Sequence, residues 1–160
     1  MKETPMHRKA APEALYKLTT AIPPVRRAWI QAAEHAMGVR EASTSLTLVV
    51  LLVSRLGPDV HQKILAREMG INAAAMVHLL DQGETAGLLS RSESSEDRRC
   101  KFINLLPDGE EMARQAEARL QALRKELLGD LTAGEVATVT RVLRLLEERS
   151  LAYLESGKEA

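Results

Sequence analysis

Arg98 and Arg99 stand between a polar run, Ser92-Glu93-Ser94-Ser95-Glu96-Asp97, and the more apolar stretch Cys100-Lys101-Phe102-Ile103. Upstream lies a second strand-like segment, Leu88-Leu89-Ser90-Arg91. Strand, polar tip, strand is the pattern of a β-hairpin. Guanidinium groups at the base of such a tip suit the minor groove of a nucleic-acid duplex, whose negative potential draws arginine in.

The segment before the hairpin gives those arginines a context. Two short helices can cross steeply if the first offers a small residue where the second approaches. The turn between them needs a glycine-like residue, and fixed apolar positions must lock the pair. In 60–89, Ala66 is the small residue and Gly70 lies four positions on, in the turn. Leu65, Met69, Ile71, Met76 and Leu79 take the apolar positions. This spacing predicts a helix-turn-helix, its second helix capped by Asn72. The outward positions of that helix are Asn72, Ala73, Ala74, Val77, His78 and Asp81. Only Asn72 and His78 among them can donate to base edges, while alanine and valine touch thymine methyl groups at most. The candidate DNA-contacting set is therefore Asn72, Ala73, Ala74, Val77 and His78 on the helix, with Arg91, Arg98 and Arg99 on the hairpin.

Other chemistry finds little footing. The four histidines, His7, His35, His61 and His78, are not at metal-ligand spacing with a carboxylate or cysteine. No glycine-rich loop follows a strand and opens a helix, and no nucleophile or carboxylate pair has catalytic spacing. Neither a cofactor nor an enzymatic activity is expected. Cys100 is the single cysteine, so no internal disulfide can form. Its place on a hairpin strand suits a packing thiol better than a redox sensor.

The elements that must position this apparatus are helical. Aromatics are 2% of the 160 residues, so the core has to be built from Leu, Val, Ile, Ala and Met. Lysine plus arginine number 22 against 22 acids, so any basic face must be local. From Pro12 a helical pattern begins with Leu15, Leu18 and Ile22, and Pro23-Pro24 is expected to break or kink it. It resumes with Trp29, Ala33 and Met37 on one stripe and stops at Gly38. Ser43 caps the next helix, 44–56, which is apolar almost all round and should run through the middle of the domain. Beyond the hairpin, Asp108 with Glu111 reads as a capping box opening a long helix striped by Met112, Ala116, Leu120, Leu123 and Leu127. Gly129 and Asp130 interrupt it. Thr132 then caps a last helix carrying Val136, Val139, Leu143, Leu146 and Ser150.

These terminal stripes exceed what a chain this size can cover with its own body, so pairing with a second copy is expected. The fold class is mainly α with a small β-hairpin wing: a winged helix-turn-helix lobe over 43–107, flanked by helical dimerisation regions at 12–42 and 108–160. The longest apolar run, 48–53, is too short to span a bilayer, and the N-terminus lacks a signal pattern. A cytoplasmic protein without membrane contact is expected. The competing expectation is a helical dimerisation or adaptor protein whose winged helix meets another protein.

Several of these stretches resemble the MarR family of bacterial transcription regulators. They are Leu65-Ala66-Arg67-Glu68-Met69-Gly70, Leu80-Asp81, Ala86-Gly87-Leu88-Leu89-Ser90-Arg91, Asp97-Arg98-Arg99, and Gly109 at the long helix. The similarity runs over about 25–154, and its most specific element is Asp-x-Arg at Asp97 and Arg99. The resemblance implies a dimer held by the terminal helices, a wing oriented by Asp97, and Arg99 in the minor groove. It also implies a repressor whose affinity for double-stranded DNA is lowered by a small phenolic or carboxylate effector. The family's N-terminal helix lines the effector pocket. Arg26, Arg27, Trp29 and His35 lie on that helix here, an arginine to pair with a carboxylate and Trp29 to stack on a ring. The chain departs from the family pattern at Ala73, Ala74 and Ala75, where polar residues are usual. It departs again at Gly83 in place of a core leucine, and at Leu106-Pro107 in place of a Leu-Thr cap.

Overall fold

The computed structural model describes residues 9–38, 44–93 and 101–157. The elements in chain order are α1 (Pro12–Met37), α2 (Thr44–Leu56), β1 (Val60–His61), α3 (Gln62–Met69), α4 (Ala73–Thr85), β2 (Leu89–Glu93), β3 (Lys101–Leu105), α5 (Pro107–Leu128) and α6 (Ala133–Glu155). The chain forms two compact units. One reaches to Leu123, and the other begins at Arg124 and contains the end of α5 and all of α6.

In the first unit, α2 is the central element. Leu46, Thr47, Val49, Val50, Leu51 and Val53 are all buried, as expected of a helix with apolar residues on nearly every side. It feeds three apolar clusters. Val49 and Val53 join Val60, Leu65, Met76, Leu80, Leu89 and Ile103 beneath the helix-turn-helix. Leu51 joins Ala33, Met37, Ala116 and Leu120, while Leu46 and Val50 meet Leu88 and Ala113. Of the eight largest side chains that are fully buried, all but Val50 belong to the first cluster. Each such side chain contributes about 1.5–3 kcal/mol on burial, so this lobe holds most of the hydrophobic stabilisation.

α1 runs unbroken through Pro23 and Pro24, contrary to the expected break. The two prolines remove the amides that would bond to the carbonyls of Thr19 and Thr20. That stretch is exposed, so water can take their place. The threonine hydroxyls instead bond back to carbonyls of the preceding turn, Thr20 to Tyr16 at 2.9 Å among them. The helix stops at Gly38, whose φ of 63° is left-handed and whose N–H reaches the carbonyls of Glu34 and His35. The cap expected at Ser43 lies outside the described residues.

The capping box expected at Asp108 and Glu111 does not form. α5 starts at Pro107, whose fixed φ and missing amide suit the first helical position. Glu111 is turned along the helix to Arg114 and Gln115. Gly109 lies inside the first turn, where a Cβ would collide with the Leu88 carbonyl oxygen. That oxygen also accepts the Leu106 N–H at 3.0 Å. The chain after the wing is thus laid directly on the chain before it.

In the second unit, Thr132 caps α6 as expected. The Glu135 N–H donates to the Thr132 hydroxyl at 3.3 Å, and Glu135 accepts the Thr132 N–H at 2.9 Å and its hydroxyl at 2.7 Å. No residue of α6 is buried. Val136, Val139, Leu143, Leu151 and Leu154 are among its exposed apolar side chains.

Candidate nucleic-acid interface

The predicted helix-turn-helix is α3 and α4. Leu65 and Met76 are fully buried between them, with Ala66, Met69, Ile71 and Leu79 packed at the edge of the same cluster. Gly70 sits in the turn at φ 64°, and its N–H closes α3 onto Ala66 and Arg67. The helix also begins in an unusual way. His61 is its N-cap, with Nδ1 accepting the Lys63 N–H at 3.0 Å, which places the ring proton on Nε2. Sequence reasoning missed this role because histidine is not a residue that habitually caps helices.

Asn72 caps α4, its Oδ1 accepting the Ala75 N–H at 2.8 Å. That carbonyl is spent on the helix, and only the amide N–H groups remain for a groove. Ala73, Ala74, Ala75, Val77, His78, Asp81 and Gln82 are exposed, while Met76, Leu80 and Gly83 are buried. The outward face is therefore the one read from the sequence, extended by Ala75 and Gln82. Gln82 adds a polar group to that face one turn beyond His78. It lies 2.9 Å from His78, Nε2 to Nε2.

The wing is a three-stranded antiparallel sheet in the order β1-β3-β2, where a two-stranded hairpin was expected. Leu89 pairs with Leu105, Arg91 with Ile103 and Glu93 with Lys101, so β2 continues through two residues assigned to the tip. The added strand, β1, is only Val60 and His61, facing Ile103 and Phe102. Its entry is fixed by Asp59, at a left-handed φ of 56°. The Asp59 N–H donates to Asn104 Oδ1, and Asn104 Nδ2 donates to Asp59 Oδ1, both at 2.8 Å. This reciprocal pair offsets the local cost of that backbone conformation.

Arg91 is turned inward. Its side chain is 14% exposed, and Nη2 bonds Asp81 at 2.5 Å and the Val77 carbonyl at 3.1 Å. Glu84 accepts the Arg91 N–H at 3.0 Å and pairs with Nε at 3.5 Å. The residue expected to face DNA thus fastens the wing to α4, at the edge of its outward face. Asp97, Arg98, Arg99 and Cys100 lie outside the described residues.

Gly83, a departure from the family pattern, has a local reason. A Cβ there would lie 2.7 Å from Leu89 Cδ2 and 3.2 Å from Leu46 Cδ1. Its bareness lets β2 and α2 close on α4.

The four residues named for an effector divide. Trp29 is half-buried against Ala33, Met37 and Leu120, and Arg26, Arg27 and His35 are exposed. None lines the cleft of about 830 Å³ whose walls include Val53, Ser54, Asn104, Glu110, Arg114 and Glu117. Arg114 is held there by Glu111, and that bond keeps the Glu111 carboxyl below the usual carboxylate range. Among the described residues no three metal-ligating side chains come together. Nor, among the described residues, is any helix long and apolar enough to cross a membrane.

A model of the MarR family matches residues 43–101, which spans α2, the helix-turn-helix and the start of β3. The transcriptional regulator PA3341 is similar at 29% identity and a TM-score of 0.74, over 87% of this chain and 98% of that one. A mutant MarR from E. coli complexed with operator DNA is similar in fold at 19% identity and a TM-score of 0.69, over 86% and 99%. The PcaV transcriptional regulator from Streptomyces coelicolor, in complex with its natural ligand, matches at 20% identity and a TM-score of 0.66, over 89% and 99%. The family match thus lies on the lobe that carries the helix-turn-helix, and the fold agrees with these regulators along nearly all of each similar chain.

Proposed function

We propose that the protein is a homodimeric repressor that reads double-stranded DNA with α4 and the wing, and releases it when a small aromatic or carboxylate ligand binds. The observation that carries this reading is the exposed face of α4, held against the sheet by Arg91 so that helix and wing move together. Asn72, Ala73, Ala74, Val77 and His78 meet the major groove, and Arg98 and Arg99, oriented by Asp97, meet the backbone and minor groove. The fold-related MarR held on operator DNA supports this arrangement.

Regions 12–42 and 108–160 form the dimer, and 43–107 is the reading lobe. The exposed apolar residues Leu15, Leu18 and Val25 of α1, and those of α6, are the surfaces a second copy would cover. The ligand acts where the two regions join. A ligand-bound PcaV of the same fold supports such an effector, with Arg26, Arg27, Trp29 and His35 as contacts. The protein acts in the cytoplasm, where its operator is.

The test is fluorescence anisotropy on duplexes drawn from the region upstream of its own gene, with salt titrated. Counterion release predicts affinity falling by about a thousandfold or more between about 50 and 200 mM salt if six or more phosphates are engaged. Equal retention at both salts, or none on any duplex, would overturn the reading.

A further inference from the structure

Most of the outward face of α4 offers bases no hydrogen bonds, because Ala73, Ala74, Ala75 and Val77 carry no polar atoms beyond the backbone. Beyond the Asn72 amide, the exception is the contact between His78 and Gln82, 2.9 Å apart one turn from each other, both exposed. The geometry points to His78 and Gln82 acting as one reading unit, in which the state of the imidazole decides which hydrogen-bonding groups the Gln82 amide shows to the DNA. This rests on α4 being the groove-reading helix.

The argument is one of donors and acceptors. When Nε2 of His78 carries a lone pair, it accepts one amide N–H of Gln82, as placed here. The amide then has its carbonyl oxygen and second N–H free. One acceptor beside one donor is the arrangement that pairs bidentately with adenine N6 and N7. When Nε2 carries a proton, as it must in the imidazolium, the contact survives only if the amide turns over and offers its oxygen to the ring. Both N–H groups then face outward, complementary to the two acceptors of guanine, O6 and N7. The amide has the same shape in both orientations, so neither helix nor side-chain position has to change.

Among the described side chains, the charged groups on the elements packed against α4 are largely paired elsewhere. Arg91 of β2 is committed to Asp81 and Glu84. Arg67 and Glu68 of α3 pair with each other at 3.2 Å, and Arg55 of α2 pairs with Glu117. Lys63 on α3 completes the described set.

The experiment is selection of bound duplexes from a randomised pool by the full-length protein. It is run at about pH 5.5 and about pH 8, on either side of the range in which imidazoles titrate. At one base position per half-site, adenine should be enriched at the higher pH and guanine at the lower. The relative enrichment should change by about tenfold, since a bidentate contact separates bases by that order. Gln82→Ala should flatten that position at both pH values, and His78→Ala should abolish its pH dependence. Both residues are exposed, so the variants keep the fold. The same base at both pH values, or a shift that survives His78→Ala, overturns the inference and leaves the DNA-reading function standing. Failure to retain any duplex overturns both.

Discussion

Asp81 on α4 and Arg91 on β2 lie 2.5 Å apart, and through this pair the wing is fastened to the recognition helix. The two partners are unequal. Arg91 is almost enclosed, whereas Asp81 is 57% exposed. Removing the arginine takes away its bonds to the Val77 carbonyl and two acids, so Arg91→Ala should cost about 2 kcal/mol in urea unfolding, within the range for hydrogen bonds to charged groups. Asp81→Ala should cost about 0.5–1 kcal/mol, since solvent screens the exposed partner. Arg91→Lys should not restore stability, because a single ammonium cannot span these acceptors.

Gly83 and Gly109 are both buried glycines in helices, and they should respond differently to a methyl group. At Gly109 the obstacle is the Leu88 carbonyl, which is backbone and cannot yield. Gly109→Ala should destabilise by about 3 kcal/mol, the upper end for overpacking. At Gly83 the obstacle is the Leu89 side chain. An overpacking cost of about 1–3 kcal/mol is partly offset by the roughly 1 kcal/mol that alanine gains in a helix. Gly83→Ala should therefore come out about 0–2 kcal/mol less stable. Paired urea titrations check the order, and a milder effect at Gly109 would contradict the packing described.

Much of this was legible from periodicity. The α2 core, the α3–α4 pair, the Asn72 and Thr132 caps and the stop at Gly38 each carry a local signal of several residues. β1 was not legible, because two residues have no period and its pairing depends on Asn104, forty-five positions from Asp59. The inward turn of Arg91 was missed for a related reason. A strand residue's side depends on which neighbour packs behind it, and here that is α4. The misread at Asp108 came from preferring a side-chain cap to the conformational fit of Pro107.

Affinity and selectivity should separate by residue. Arg99→Ala should weaken binding to all duplexes, by about tenfold or more on sites with narrow, A/T-rich minor grooves. His78→Ala should lower affinity less while altering which base is preferred. Titrating Arg98→Ala, Arg99→Ala and His78→Ala on one operator at one salt concentration tests this. A larger affinity loss from His78→Ala would contradict the account.

The start of α6 should be sensitive to acid. The Thr132 hydroxyl, and then its backbone N–H, hold the Glu135 carboxyl below the usual carboxylate range. A lowered folded-state value stabilises above the unfolded carboxylate's range, and that contribution is lost as pH falls through the folded value. Amide exchange in the first turn of α6 should accelerate in that acid window. In Thr132→Ala it should be fast throughout and depend less on pH.

Assembly rests on the terminal helices. Deleting residues 1–24 together with 132–160 should yield a monomer or an aggregate in sedimentation velocity, because their apolar stripes lose their partners. A well-behaved monomer of the full-length chain would contradict the dimer.

The three successive alanines that open α4 have a consequence for how this protein could change. Alanine is the best helix former, and Ala73, Ala74 and Ala75 are exposed, so replacing any of them by a residue other than Gly or Pro costs at most about 0.7 kcal/mol of helix propensity and disturbs no packing. Specificity can therefore be written onto this surface one residue at a time, without the compensating changes a filled interface would demand. In evolutionary terms the helix is a blank key, free to be cut for a new lock while the lobe behind it stays as it is.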